Sequence, residues 1–115
     1  MNIEILKSKI HRATITETRL DYEGSITIDR ELIDAARLHI YEKVHILNIN
    51  NGSRFETYVI EGTPGGREIC INGAAARLAQ PGDLIIILSY AIIDENELKC
   101  WEPVVVHVDT RNNPI

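Results

Sequence analysis

The chain has 115 residues, 44% of them hydrophobic and 25% charged, with 12 Lys and Arg against 17 Asp and Glu for a net charge of -5. These are the proportions of one globular domain over residues 1–115, with little material left for a separate lid or cofactor domain. The acidic balance, the lack of any run of three basic residues and a stock of one Trp, one Phe and four Tyr exclude nucleic-acid binding by phosphate contacts or base stacking.

In chain order, Ile3, Ile5, Ile10, Ala13 and Ile15 predict a long N-terminal strand region with a change of face near Ser8. Asp29 is placed to cap a short amphipathic helix carrying Leu32, Ile33, Ala36 and Ile40. Val44 to Asn50 and Arg54 to Glu61 read as two strands of a hairpin, with Asn51-Gly52 suited to a type I′ turn that needs positive φ at both residues. Gly62 to Gly66 is a loop, and a second short helix begins near Ala74 and stops before Pro81-Gly82. Leu84 to Ile93 reads as a strand buried on both faces, Asp94 to Lys99 as a helical turn, and Val104 to Val108 as a last strand. Many strands with two or three short helices in so short a chain indicate a mainly β protein built as a small barrel.

The longest apolar run, Leu84 to Leu88, falls far short of the ~20 residues that cross a bilayer, and Glu4, Lys7 and Lys9 interrupt any signal-peptide core. The expectation is a cytoplasmic chain with no membrane partner. Cys70 and Cys100 are too few for a disulfide framework and read as free thiols. His11, His39, His45 and His107 lack the spacing of a local metal cluster, so no metal is expected. A phosphate-binding glycine loop, a dinucleotide fingerprint, an HExxH helix and a GxSxG elbow are all missing.

What remains is a set of short segments: Lys9-Ile10-His11-Arg12-Ala13, Tyr22-Glu23-Gly24-Ser25, Asn51 through Tyr58, and Ile71-Asn72-Gly73-Ala74-Ala75-Ala76. In that order and at those separations they resemble the aspartate 1-decarboxylase family. The likeness continues through Asp34-Ala35-Ala36, Pro81-Gly82-Asp83 and Ile85-Ile86-Ile87, up to about Trp101. It implies a double-psi β-barrel assembled as a homotetramer, with active sites between subunits. It also implies self-cleavage between Gly24 and Ser25 into segments 1–24 and 25–115, with Ser25 becoming a covalent, self-derived pyruvoyl group. That group would form a Schiff base with L-aspartate and release carbon dioxide and β-alanine, a step toward pantothenate and coenzyme A. Whether maturation is spontaneous or assisted by a maturation factor stays open.

The chemistry suits the residues. Ser25 Oγ can attack the preceding carbonyl, and Gly24, without a Cβ, is expected to allow a strained backbone that exposes that carbonyl. By the resemblance, Tyr58 is the proton donor, where a lone strand tyrosine would simply bury its ring and expose its hydroxyl. Arg54 would clamp a substrate carboxylate and Lys9 would add a second cation; alone, each is an ordinary surface charge. Thr57 would bind substrate and polarise the Gly24 carbonyl. Gly73, Ala74 and Ala75 would offer backbone N–H groups, Asn72 a hydrogen bond, and Ile86 an apolar wall, while His11 and Tyr22 would shape the processing site. Period two puts Arg54 and Tyr58 on one strand face and Thr57 on the other, which calls for a bulge or a site shared between subunits. Leu47 stands where some relatives carry tryptophan.

Two other readings compete. One is a non-catalytic double-psi barrel serving as a binding or oligomerisation module. The other is a serine hydrolase using Ser25, which lacks a recognisable histidine–carboxylate pair.

Overall fold

The computed structural model describes residues 1–115. Eight strands, β1 (Asn2–Thr14), β2 (Glu17–Arg19), β3 (Ser25–Asp29), β4 (Lys43–Asn48), β5 (Arg54–Gly62), β6 (Ile69–Asn72), β7 (Leu84–Asp94) and β8 (Val104–His107), form one sheet in the order β2-β6-β3-β5-β4-β7-β1-β8. The pairs β1·β8, β2·β6 and β3·β5 are parallel and the others antiparallel. After β1, the Ile15 and Thr16 N–H groups donate to Asp83 O (2.9 Å) and Ile69 O (2.8 Å), and the chain enters β2 at the opposite edge. The fold agrees with the expected small double-psi β-barrel in being a mainly β chain with a single sheet of eight strands. Three short helices accompany it: α1 (Arg30–Ala35) and 3-10 helices at Gly73–Leu78 and Glu95–Cys100.

The interior is dominated by isoleucine, with Ile10, Ile26, Ile46, Ile71, Ile85 and Ile87 among its buried side chains. β-Branched residues pack well on a pleated face, and burying each such side chain contributes on the order of 1.5–3 kcal/mol. β1 reaches this core through two irregularities against β7, one between Leu6 and Ser8 and one between Ile10 and Ala13. The first is the anticipated change of face. The second, with Arg12 at φ 66, restores the original parity so that Ala13 and Ile15 also point inward.

Some elements differ from expectation. The Asn51-Gly52 turn is not type I′, because Gly52 has positive φ (75) and Asn51 does not. The buried Asn48 is the reason: its Oδ1 accepts from Asn50 N (2.9 Å) and Asn51 N, drawing residues 49–53 into a wider loop. Asn51 Nδ2 and Ser53 Oγ then both donate to Leu78 O at 2.9 Å. Helix α1 keeps its Asp29 cap but ends before Ile40. Arg37 adopts φ 55, and Leu38 N donates to Ile33 O while Arg37 N donates to Asp34 O, the paired bonds of a Schellman stop. β7 is buried on both faces only around Ile87 to Ser89; beyond, Tyr90 and Ile92 are exposed.

Candidate active site

Ser25 opens β3 and is buried, because it faces Asn72 in the antiparallel register with β6. Asn72 Nδ2 donates to Ser25 Oγ (3.0 Å) and to Thr27 Oγ1 (3.0 Å), and Ser25 Oγ donates to Glu23 O (3.1 Å). Asn72 is also the cap residue of the Gly73–Leu78 helix, yet its side chain makes no capping bond. A residue type favoured for capping has been turned onto the serine instead.

Gly73 follows with φ +76, and a Cβ there would lie 2.6 Å from Gly24 Cα and 2.7 Å from Gly24 N. Gly24 itself has no positive φ, and a Cβ added to it would meet nothing within 4 Å. The strained glycine anticipated at position 24 is therefore at 73, where close approach to the Gly24-Ser25 segment requires it. Tyr22 reaches this spot through its backbone, with its carbonyl oxygen 3.1 Å from where a Gly73 Cβ would stand, while its side chain is exposed. Ala74 and Ala75 follow in the first turn, where N–H groups have no partner inside the helix.

On β5, which runs parallel to β3, the pair Ile26–Val59 sets the register. Continued one step back, that register sets Ser25 at the start of β3 level with Tyr58. The strand alternates without a bulge, so Tyr58 and Arg54 share its outer face and Thr57 turns the other way. Tyr58 is 36% exposed, its ring is 6.2 Å from that of Tyr41, and its hydroxyl makes no hydrogen bond within the chain. Arg54 and Lys9 likewise have no ion pair inside the chain, unlike Lys7, Arg19, Arg30, Lys43 and Arg67.

The remaining expected residues form a separate group. Arg54 pairs with Leu47, and Leu47 with Ile86. Across the next strand the second β1 irregularity carries His11, which pairs with His107. Lys9 lies two residues before His11, opposite Leu88. His11 has a buried, unpartnered Nδ1, and its ring is 5.5 Å edge-on to that of His107. Burial, then the charges of Lys9, His107 and Arg12, hold its pKa below the usual histidine value.

Arg54 is four residues from Tyr58, about 13 Å along the strand at ~3.3 Å per residue. His11 is further off in strand order, on β1 between β7 and β8. Within one chain the structure thus gathers Gly24, Ser25, Asn72, Gly73 and the Tyr22 backbone, with Tyr58 and Thr57 on the adjoining strand β5, and sets Lys9, His11, Arg54 and Ile86 apart. None of the four surface cavities is lined by Ser25, Asn72 or Arg54.

Cys70 and Thr27 carry no signal in the motifs above, yet both touch the site. Cys70 Sγ lies 3.2 Å from Asn72 Oδ1, completing the hydrogen bonding of that amide. Period-two spacing, Cys70-x-Asn72 and Ser25-x-Thr27 on paired strands, is the signal that could have found both.

Comparison with known proteins gives the family of the chain. The family model for aspartate decarboxylase matches residues 1–115. An aspartate 1-decarboxylase of Pelotomaculum thermopropionicum is 62% identical over 112 residues, covering 97% of this chain and 85% of the relative. One from Parabacteroides distasonis is 58% identical over 115 residues, 100% of this chain and 99% of its own length. Another, from Thermoanaerobacter pseudethanolicus, is 58% identical over 111 residues, 96% and 95% of the two chains. With a match that runs the full length of the chain, the chain belongs to the aspartate decarboxylase family.

Proposed function

We propose that this protein is a pyruvoyl-dependent aspartate 1-decarboxylase, converting L-aspartate to β-alanine and carbon dioxide after cutting itself between Gly24 and Ser25. The observation that carries this reading is the buried Ser25 hydroxyl, held by Asn72 Nδ2 at 3.0 Å where Gly73 packs against Gly24. The family match over the whole chain does not favour a non-catalytic barrel.

Self-cleavage begins when Ser25 Oγ attacks the Gly24 carbonyl carbon. The C–N bond breaks, the hydroxyl proton passes to the departing amine, and an ester joins Gly24 to Oγ. Thr57, on the strand paired with β3, is assigned to the carbonyl oxygen as charge develops there. Loss of the Ser25 α-proton then expels Gly24 as a carboxylate, and water replaces the nitrogen of the resulting dehydroalanine, releasing ammonia and leaving the ketone. Segments 1–24 and 25–115 result.

The surroundings of Ser25 fit such a group. Its side-chain contacts are an amide donor and a backbone carbonyl, small residues adjoin it, and no charged group bonds to it, as suits a neutral electrophile. The pyruvoyl carbonyl supplies the electron sink for loss of the α-carboxylate. Arg54 binds a substrate carboxylate through its planar fork, and Lys9 adds a second positive charge. At a net charge of -5 the overall field repels a dicarboxylate, so these local cations provide the attraction. Tyr58 O–H delivers the proton that replaces the lost carboxylate. Asn72 and the N–H groups of Gly73, Ala74 and Ala75 orient the reacting end, and Ile86 excludes water. His11 and Tyr22 are assigned to the edges of the processing site.

A homotetramer supplies what one chain separates: the Arg54, Ile86, His11 and Lys9 face of one subunit covers the Ser25 site of the next. Support comes from exposed apolar residues on β7 and β8, among them Tyr90, Ile92 and Val105, which an interface between subunits would cover. No helix is long and apolar enough to cross a membrane, and we assign the enzyme to the cytoplasm.

Mass analysis of the purified protein under denaturing conditions tests the reading. The two segments should appear, the larger with a borohydride-reducible carbonyl, and purified precursor incubated alone shows whether a maturation factor is needed. Tyr58→Phe should be cleaved normally yet lose roughly 100-fold or more in turnover, within the usual range for removing a general acid. An uncut chain without aspartate turnover overturns the proposal.

A further inference from the structure

The amide of Asn72 has a fixed sense. Ser25 has one hydroxyl proton, and it is directed to Glu23 O at 3.1 Å. Toward Asn72 the serine oxygen can therefore only accept, so Asn72 presents Nδ2 to Ser25 and Thr27 and turns Oδ1 the other way. Oδ1 meets one group, the thiol of Cys70 at 3.2 Å. The order of donation is Cys70 S–H to Asn72, Asn72 to Ser25, and Ser25 to Glu23.

That order requires Cys70 to keep its proton. The residue is buried, and Glu17 and Glu68 bring carboxylates near enough that ligand atoms of all three lie within 4.8 Å of one another. Burial first, then the Glu17 carboxylate, opposed in part by Arg19 and joined by Glu68, push the thiol up to about 11. It is a permanent donor at neutral pH and a poor nucleophile.

Resting on the self-cleavage reading above, we infer that Cys70 is a positioning residue for maturation. Its thiol locks the Asn72 amide in the orientation that keeps an N–H on Ser25 Oγ. The held N–H matters at two points. It stabilises negative charge on Oγ as the hydroxyl proton leaves during attack on Gly24. It then bonds the same oxygen as the Cβ–Oγ bond breaks and Gly24 departs as a carboxylate. An amide free to flip would present Oδ1, which stabilises neither. Thr27 Oγ1, the second acceptor for Nδ2, supports the same orientation from the adjacent strand position.

The experiment follows conversion of full-length precursor to the two segments by mass, for wild type, Cys70→Ala, Cys70→Ser and Cys70→Val, with unfolding midpoints measured in parallel. Cys70→Ala and Cys70→Val should mature roughly threefold to tenfold more slowly, the span of one net hydrogen bond. Cys70→Ser, which keeps a donor, should recover most of the rate. Alanine and serine leave similar space, so at matched midpoints this pair separates the hydrogen bond from packing, even if Cys70→Val does not fold. Maturation of Cys70→Ala at the wild-type rate, or of Cys70→Ser as slowly as Cys70→Ala, overturns the assignment while leaving self-cleavage standing. A wild-type chain that never cleaves overturns the functional reading as well.

Discussion

Two glycines in contact have opposite requirements. Gly73 combines φ +76 with a Cβ position 2.6 Å from the Gly24 backbone, so Gly73→Ala must strain the chain and displace the Gly24-Ser25 segment. Together these cost roughly 2–5 kcal/mol. Gly24→Ala adds a methyl group to open space at an ordinary φ and should leave stability within about 1 kcal/mol. Denaturant unfolding on a Ser25→Ala background, where the proposed self-cleavage has no nucleophile, compares the two directly. Equal midpoints would show that the close approach is not required. The sequence pointed to this site but misplaced its constraint: Asn72-Gly73 and Gly24-Ser25 are both legible as motifs, whereas which glycine bears the strain depends on how two distant backbones meet.

The elements around the site depend on polar side chains that a hydrophobic pattern does not register. Asp29 is fully buried; its carboxylate caps α1 through Glu31 N (2.8 Å) and accepts from Gly65 N (3.1 Å), Arg67 N (2.7 Å) and the Arg67 guanidinium. It thus ties the end of β3 to the loop after β5. Asp29→Ala removes the cap and unpairs three further donors, which should cost roughly 2–4 kcal/mol, whereas Asp29→Asn keeps one acceptor and should cost less. Unfolding midpoints measure both, and an alanine variant within 0.5 kcal/mol of wild type, roughly the effect of an ordinary surface substitution, would refute this role. Similar effects explain what was legible. The long β1, the β4 and β5 runs and the Asp29 cap follow from periodicity and local capping. Strands β3 and β6 do not, because Ser25, Asp29 and Asn72 are buried polar residues and all four β6 positions are buried, leaving no alternation to read. Asn48 and Arg37 likewise end or widen elements through tertiary and capping bonds that no apolar spacing anticipates.

At the scale of the molecule, the barrel separates the residues proposed for the chemistry into two groups. Ser25, Asn72 and Tyr58 lie on neighbouring strands β6, β3 and β5, while Lys9, His11 and Ile86 lie on β1 and β7, with Arg54 at the far end of β5. If the second face of each subunit completes the Ser25 site of its neighbour, two inactive variants can repair each other. Ser25→Ala subunits have no reactive group but carry Arg54; Arg54→Ala subunits mature but lack the carboxylate clamp. Each homo-oligomer should be inactive or nearly so. Random co-assembly at equal amounts puts a complete pair at about one quarter of the positions, because half the subunits carry Ser25 and half of those meet an Arg54-bearing neighbour. Co-expression with distinct tags, tandem purification of the mixed oligomers and assay of β-alanine formation measure the recovery. Activity near that fraction requires a shared site, since neither chain contains both groups. Mixed oligomers that form but stay as inactive as their parents would place Arg54 beside the Ser25 of its own subunit, and the tetramer would then need another rationale than completing the site.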